Sequence, residues 1–401
     1  MDKKVKSQIT YGKNVYGKEE INAVLKRIKQ TTQMSLSVSS FEKKIAKKFN
    51  KKYGIMVNSG SSAIHLALKI LNFKKNSEVI VPCLNFGTAI SSLLFCNLKP
   101  ILVDVNVNTL QINENLIEKK INSKTKAIMV PNLIGNIPNW QLIKKIANKH
   151  NLKIIEDSAD TLGAKINGKS TGFFSDFSIT SFYGSHIISC AGNGGMLMLN
   201  NKKDYNKALI LRSWGRLSST LKNSEDIKKR LDINLMGVNY DRKFVFAEAG
   251  FNFEPNELGA TFGLQQLLKF NKFQKIRNRN FNFHHKFFSK LNNYFIPIKI
   301  NNKIKTNFLA YPIIIKQNIT FNRKNLQIYL EKNNIQTRPI FSGNILRHPG
   351  FKNLINKQNK IKNFPNSDYI MRNGILIGCH QGLNSYQLKY IHSKILQFIH
   401  S

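Results

Sequence analysis

Short apolar runs recur through the first half of the chain. Tyr53-Gly54-Ile55-Met56-Val57, Val79-Ile80-Val81-Pro82, Pro100 to Asp104, Ala127 to Pro131 and Lys153-Ile154-Ile155-Glu156-Asp157 each predict a short buried strand. Helical spacing fills the intervals: Ala63, Leu66, Ala67 and Ile70 predict one helix, Thr88 to Phe95 a second and Trp140 to His150 a third. Upstream, Ile21, Val24, Leu25 and Ile28 follow a helical period after an entry segment, and Phe41 to Phe49 predicts another amphipathic helix. Strands alternating with helices in this way predict an α/β domain with a mostly parallel sheet.

In such sheets ligands collect at the carboxyl ends of the strands. Asn58 to Ser62, Asn85-Phe86, Asn132 to Asn136, Asp157 to Asp160 and Ser181 to His186 all fall at such ends. The last of these is a polar, glycine-rich turn, running on to Gly192-Asn193-Gly194-Gly195. It lies between the strand-like runs at Phe177 to Ile179 and Met196 to Leu199.

Past residue 200 the pattern changes. Leu209 to Asp241 is polar and poorly periodic, and predicts a long excursion. Glu257 to Phe270 predicts a helix, followed by basic and aromatic helices, strands near Phe308 to Ile315 and an α+β tail to Ser401. A boundary is expected near 255–275, with a large α/β domain over 1–260 and a smaller C-terminal α+β domain over 261–401. No internal repeat or low-complexity linker is evident.

Composition narrows the function classes. A chain of 401 residues with 42% hydrophobic and 10% aromatic content predicts a folded globular protein. No apolar run approaches the roughly 20 residues that span a bilayer, and Met1-Asp2-Lys3-Lys4 lacks the apolar core of a secretory leader. A cytoplasmic protein without membrane association is expected. Cys83, Cys96, Cys190 and Cys379 form no Cys-x-x-Cys pair, so free, mostly buried thiols are expected rather than a metal or redox site.

The formal net charge of +40 raises nucleic acid as a partner. The basic residues are dispersed along the whole chain, without a basic stripe interleaved with aromatics, so no nucleic-acid partner is expected. An anionic small substrate such as a nucleotide diphosphate also suits a basic surface.

Candidate chemistry gathers at the strand ends. Asn58-Ser59-Gly60-Ser61-Ser62 between a strand and a helix offers free amides and a helix dipole to a phosphate, or else a plain N-cap by Ser61 or Ser62. Asp157 closes an apolar strand, where a carboxylate needs a partner. A protonated pyridine nitrogen is one such partner, since a carboxylate there lets a pyridoxal ring draw in electrons. Phe86 is able to stack on the ring, and Gly60, Ser61 and Ser181 to hold its phosphate.

In this order the residues resemble the DegT-type sugar aminotransferase superfamily. The similar pieces are Asn58 to Ala63, Glu156-Asp157-Ser158-Ala159-Asp160-Thr161-Leu162-Gly163-Ala164, Gly172-Phe173-Phe174-Ser175-Asp176, Ser181-Phe182 and Gly250-Phe251-Asn252. They span nearly the whole chain.

The resemblance implies the fold type I architecture of pyridoxal phosphate enzymes and a homodimer. Of the cofactor-binding set Gly60, Ser61, Phe86, Asp157, Asp160, Ser181 and Asn252, it implies that Asn252 reaches a phosphate across the dimer interface. Ordinary members carry, where His186 stands, the lysine that bonds the cofactor. Histidine there resembles a smaller group, the 4-keto-6-deoxyhexose 3-dehydratases. Asp241-Arg242-Lys243-Phe244, Arg338 to Asn344 and Ile377-Gly378-Cys379-His380-Gln381 also look like that group.

Its iron–sulfur branch carries a cysteine cluster just after a Trp-Gly-Arg motif. Here Trp214-Gly215-Arg216 is followed by Leu217-Ser218-Ser219-Thr220, so no iron–sulfur cluster is expected. One departure from the family pattern is Asn193, in place of the usual acidic residue before the final glycines.

The resemblance then implies pyridoxamine 5′-phosphate chemistry on a nucleotide-linked 4-keto-6-deoxyhexose, as in dideoxysugar and O-antigen lipopolysaccharide biosynthesis. Glutamate restores the pyridoxamine form from pyridoxal 5′-phosphate. His186 is the expected catalytic base, its ordinary pKa near 6.5 suiting neutral pH. Arg338 and His380 are candidate substrate contacts. The competing expectations are a nucleotide-sugar aminotransferase with an unusual slot and a non-catalytic cofactor-binding paralogue.

Overall fold

Seven strands form the central sheet of the computed structural model, which describes residues 7–221, 223–356 and 359–400. Residues 1–6, which contain the amino-terminal stretch considered above, lie outside it. The strands run β1 (Tyr53–Val57), β2 (Glu78–Pro82), β3 (Lys99–Val103), β4 (Thr125–Pro131), β5 (Lys153–Asp157), a peripheral hairpin β6 (Lys165–Ile166) and β7 (Lys169–Ser170), then β8 (Phe177–Ser181) and β9 (Gly195–Leu199).

The sheet order is β1-β9-β8-β5-β4-β2-β3. β9 pairs antiparallel with both neighbours, and every other pairing is parallel. Apolar clusters cover both faces: Ile55, Val79, Val81 and Ile155 lie in one, and Ile80, Ile128, Ile154 and Trp140 in the other. Burial on two faces explains why these strands read as continuous apolar runs. The β1 and β5 bounds match the expectation to the residue, and the others agree within two residues.

The helix Lys18–Ile28 forms, but its apolar positions do not face the core. Ile21, Leu25 and Ile28 are exposed, whereas Glu20 is fully buried. Glu20 accepts from Lys269 at 2.6 Å, Gln266 at 2.7 Å and the Gly17 amide at 2.9 Å. This helix docks through a buried carboxylate rather than through its apolar stripe, a pattern that periodicity does not report.

The excursion after residue 209 carries the end of a helix (Lys202–Arg212), short helices at Leu217–Thr220 and Ile227–Leu231, and a hairpin of β10 (Asn234–Leu235) and β11 (Val238–Asn239). The helix expected over Glu257 to Phe270 continues unbroken to Lys290, through the region where a boundary was expected. Its first half packs Ala260, Phe270 and Phe273 beside Phe41 and Phe182, and its second half packs Phe281 and Phe288 beside Tyr311 and Ile377.

The C-terminal part is built on an antiparallel sheet. With β13 (Ile304–Lys305) paired to the β6–β7 hairpin, the remaining strands β12 (Phe295–Ile296), β14 (Ala310–Ile315), β15 (Arg338–Pro339) and β16 (Gly374–Gly378) take the order β12-β14-β16-β15. Among the described residues, no helix is long and apolar enough to cross a membrane.

Candidate functional site

A cavity of about 400 Å3 opens at the carboxyl ends of the parallel strands. Gly60, Ser61, Phe86, Asp157, Asp160, Ser181 and His186, expected from the sequence to act together, all line it. Each is carried by the turn that follows a strand or by the strand's last residue: Gly60 and Ser61 after β1, Phe86 after β2, Asp157 and Asp160 at the end of β5, Ser181 and His186 at the end of β8.

The turn after β1 feeds the helix Gly60–Leu71. Its N-cap is Ser59, not Ser61 or Ser62: Ser59 Oγ accepts the Ser62 amide at 3.1 Å, and the Ser59 carbonyl accepts the Ala63 amide at 3.1 Å. The cap lies further back because Ser59 is the last extended residue before the helix. The first-turn amides of Gly60 and Ser61 have no intrahelical acceptor and carry the positive end of the helix dipole. Ser61 Oγ donates to Thr88 Oγ1 at 3.1 Å. Opposite, β9 begins so close to this turn that a Cβ on Gly195 would lie 2.2 Å from the Ser59 carbonyl carbon.

The loop after β8 is stitched to itself. Phe182 donates its amide to Gly194, Gly184 to Gly192 and His186 to Tyr183, each at 2.9 Å. The His186 ring meets Tyr183 edge-on at 6.0 Å. Its Nδ1 is buried and closes no hydrogen bond among the described residues. Burial, reinforced by the Arg277 cation, pushes the imidazole down to about 4. It is therefore neutral at pH 7 and a weaker base than its ordinary value suggests.

Asp157 is buried and accepts the Ala159 amide at 3.0 Å. No cationic side chain among the described residues forms an ion pair with it, and burial raises its carboxyl to about 6. Burial and the neighbouring Asp157 raise Asp160 to about 7, while its Oδ2 accepts the Ile134 amide at 2.8 Å. Phe86 presents a 55% exposed ring, edge-on to Phe341 at 6.1 Å.

Behind the strand, Glu156 is fully buried in a shell of hydroxyls and an amide. Oε1 accepts from Ser158 at 2.7 Å and Asn132 at 3.1 Å, and Oε2 from Ser178 at 2.7 Å and Ser175 at 3.2 Å.

This arrangement suits a phosphorylated pyridine. A helix N-terminus and serine hydroxyls face one end, an aromatic ring lies open for stacking, and a buried carboxylate lacks the cation that a protonated ring nitrogen would supply. No lysine lines the cavity among the described residues. Lys165 and Lys169 are exposed on the β6–β7 hairpin, with Lys169 lying over the Phe173 ring at 4.7 Å.

Three expected residues stand apart. Asn252 lines an adjoining cavity with Asn58, Asn193 and Gly194, sharing Ser59, Asn193 and Gly194 with the first. Arg338 is exposed on β15, its Nη1 donating to the Thr337 carbonyl at 2.8 Å. His380 is buried and committed to backbone: Nε2 donates to the Thr10 carbonyl at 2.9 Å, and Nδ1 accepts the Gly382 amide at 3.2 Å. Neither Arg338 nor His380 lines the cavity; the Ile9–Gly12 segment packs beside them, with Ile9 paired to Ile335 and the Thr10 carbonyl bonded to His380.

That segment supplies Tyr11, which sequence reasoning missed along with Phe341 as a wall residue, whereas Asn85 and Tyr183 lie in strand-end stretches that the sequence pointed to. The left-handed backbone of Phe341 (φ 44°) is a turn signal visible only in the fold. Tyr11 carries no local signal at all.

Comparison with known proteins places this site in context. The DegT/DnrJ/EryC1/StrS aminotransferase family matches residues 15–396. The chain is 30% identical over 370 residues to the lipopolysaccharide biosynthesis protein RfbH of Salmonella typhimurium, covering 90% of this chain and 84% of that protein. It is 29% identical over 352 residues to GDP-4-keto-6-deoxy-D-mannose 3-dehydratase of Escherichia coli O55:H7, covering 86% and 88%. A crystal structure of GDP-4-keto-6-deoxymannose-3-dehydratase with a trapped PLP-glutamate geminal diamine superposes with a TM-score of 0.85 at 26% identity, covering 96% of this chain and 99% of that one.

Proposed function

The chain belongs to the DegT/DnrJ/EryC1/StrS aminotransferase family, and from that premise we propose that it is a 3-dehydratase of a nucleotide-linked 4-keto-6-deoxyhexose. It uses pyridoxal 5′-phosphate and its pyridoxamine form, with glutamate as the amino donor. The observation that carries this reading is His186 in a cavity with Asp157, Phe86 and Ser181 and, among the described residues, without a lysine. The names of the relatives, a 3-dehydratase and a lipopolysaccharide biosynthesis protein, support a place in deoxysugar synthesis.

When bound, pyridoxamine phosphate supplies an amine for the C4 ketone and a ring that takes up electrons released at its C4′ carbon. The amides of Gly60 and Ser61 and the hydroxyl of Ser181 hold the phosphate, and Phe86 covers one ring face. Asp157 sits where it keeps the ring nitrogen protonated. Ionising a carboxylate in so buried a place is favourable only beside a cation, so Asp157 and the ring nitrogen charge together.

With the cofactor bound, His186 would take up the C4′ proton and return it to the departing C3 hydroxyl. An imidazole forms no lasting bond to the pyridoxal aldehyde, which leaves the cofactor free to take up an amine from glutamate in each cycle. A second copy of the chain brings its Asn252 toward the phosphate.

Incubation of the protein with pyridoxal phosphate, glutamate and GDP-, CDP- or dTDP-4-keto-6-deoxyhexoses tests the reading by mass. Loss of the 3-hydroxyl oxygen from one sugar, abolished by His186→Asn, supports it. A product that gains an amine and keeps that oxygen would instead mark an aminotransferase.

A further inference from the structure

Arg277 is fully buried on the long helix Glu257–Lys290, yet no carboxylate among the described residues pairs with it. All of its hydrogen bonds end on neutral oxygens. Nε donates to Gln381 Oε1 at 2.6 Å, Nη1 to the Phe308 and Leu309 carbonyls at 3.0 Å each, and Nη2 to the His186 carbonyl at 3.2 Å. A buried guanidinium without an anion is a costly way to fasten three segments, since neutral donors would do the same work. What distinguishes it is where it ends. One arm holds the backbone of His186 itself, and another holds Leu309, which lines the cavity.

We propose that Arg277 is a positioning residue for His186: through the His186 carbonyl it ties the His186 loop to the Phe308-Leu309 segment and Gln381, and it keeps a fixed positive charge behind that loop. This rests on the reading of His186 as the base. The surrounding charges leave the role to Arg277. Tyr11 from the amino-terminal segment is held un-ionised by burial, first of all, and Cys379 after β16 likewise stays a thiol. His380 beside them is neutral, driven down by burial and then by Arg277. Asp160 and Arg338 both act on Tyr11, and Asp157 and Asp160 line the same cavity as His186. Burial lowers Arg277 to about 10, which leaves it charged at neutral pH.

The test is an NMR titration of the full-length protein labelled at histidine, with the His186 signal assigned by His186→Gln. In the wild type and in Arg277→Lys, His186 is expected to stay neutral below pH 5. In Arg277→Met it is expected to titrate about one pH unit higher or more, with kcat lowered about tenfold and KM for the sugar within about twofold. A His186 titration in Arg277→Met that matches the wild type overturns the proposal. If Arg277→Met does not fold, Arg277→Gln is read by the same titration: a His186 that titrates as in the wild type overturns the proposal, and one raised by about one pH unit supports it. The titration needs no turnover. Its failure therefore sinks the role of Arg277 alone, whereas absence of dehydration in the wild type sinks the reading of the site.

Discussion

Gly60 and Ser181 approach so closely that a Cβ on Gly60 would lie 2.9 Å from Ser181 Cβ. Two strand ends, β1 and β8, thus converge on one point, and the space between them is kept open by the absence of a single methyl group. Gly60→Ala should force the two apart and spoil the phosphate end of the cavity. We expect pyridoxal phosphate to bind about tenfold or more weakly, with the overpacking itself costing about 1–3 kcal/mol. Equilibrium titration of cofactor absorbance measures this, and wild-type affinity in the alanine variant would contradict it.

Asp157 makes the cofactor-free protein sensitive to pH. Its carboxyl is raised to about 6 by burial, above the ordinary 3.8, so the folded state holds the proton more tightly than the unfolded chain does. The resulting destabilisation is absent at low pH, grows between about 4 and 6 and is complete above that, reaching about 2–3 kcal/mol. Asp157→Asn should therefore melt higher than the wild type at pH 8 without cofactor, with the gap closing toward pH 4. Added pyridoxal phosphate should reverse the order. A variant that melts below the wild type at pH 8 without cofactor would show that the carboxylate is already satisfied.

Because no lysine among the described residues lines the cavity, borohydride should leave no cofactor on the protein. Peptide mass mapping of the reduced, cofactor-loaded wild type is expected to find every lysine unlabelled. His186→Lys should be labelled at that position. A labelled lysine elsewhere in the wild type would restore the aminotransferase reading.

Glu156 anchors the strand that presents Asp157. Its two oxygens accept four hydrogen bonds, so Glu156→Gln sets an amide donor against hydroxyl or amide donors. We expect a loss of about 2–4 kcal/mol in urea unfolding. An unchanged midpoint would mean that the hydroxyls simply turn round.

Much of the fold and of this site was legible in the chain because its strands are buried on both faces and end in the residues that matter. Tyr53–Val57 and Lys153–Asp157 are bounded by changes in polarity sharp enough to read directly. What was not legible depends on partners far away. Glu20 looks like a surface carboxylate until Lys269 and Gln266 arrive beside it. Arg277 sits in the basic run Lys275-Ile276-Arg277-Asn278-Arg279 and has the look of a solvated face. His380 lies in a motif that suggests substrate, yet its ring is occupied by the Thr10 and Gly382 backbone. The antiparallel return of β9 between β1 and β8 follows from sheet order, which local pattern does not encode.

The Ile9–Gly12 segment bears on how the protein is made. Tyr11 is held in the cavity wall by donating its amide to Gln336 Oε1 at 2.9 Å, 325 residues later, and the Thr10 carbonyl accepts from His380 Nε2 at 2.9 Å, 370 residues later. Ile9 pairs with Ile335. These residues are made well before their partners. The large sheet can assemble during synthesis, but the cavity remains without one wall until the strands around residues 335 to 380 have been made. Cofactor capture then waits for that part of the chain, and a ribosome-stalled fragment ending before residue 335 should fold its sheet yet retain no pyridoxal phosphate.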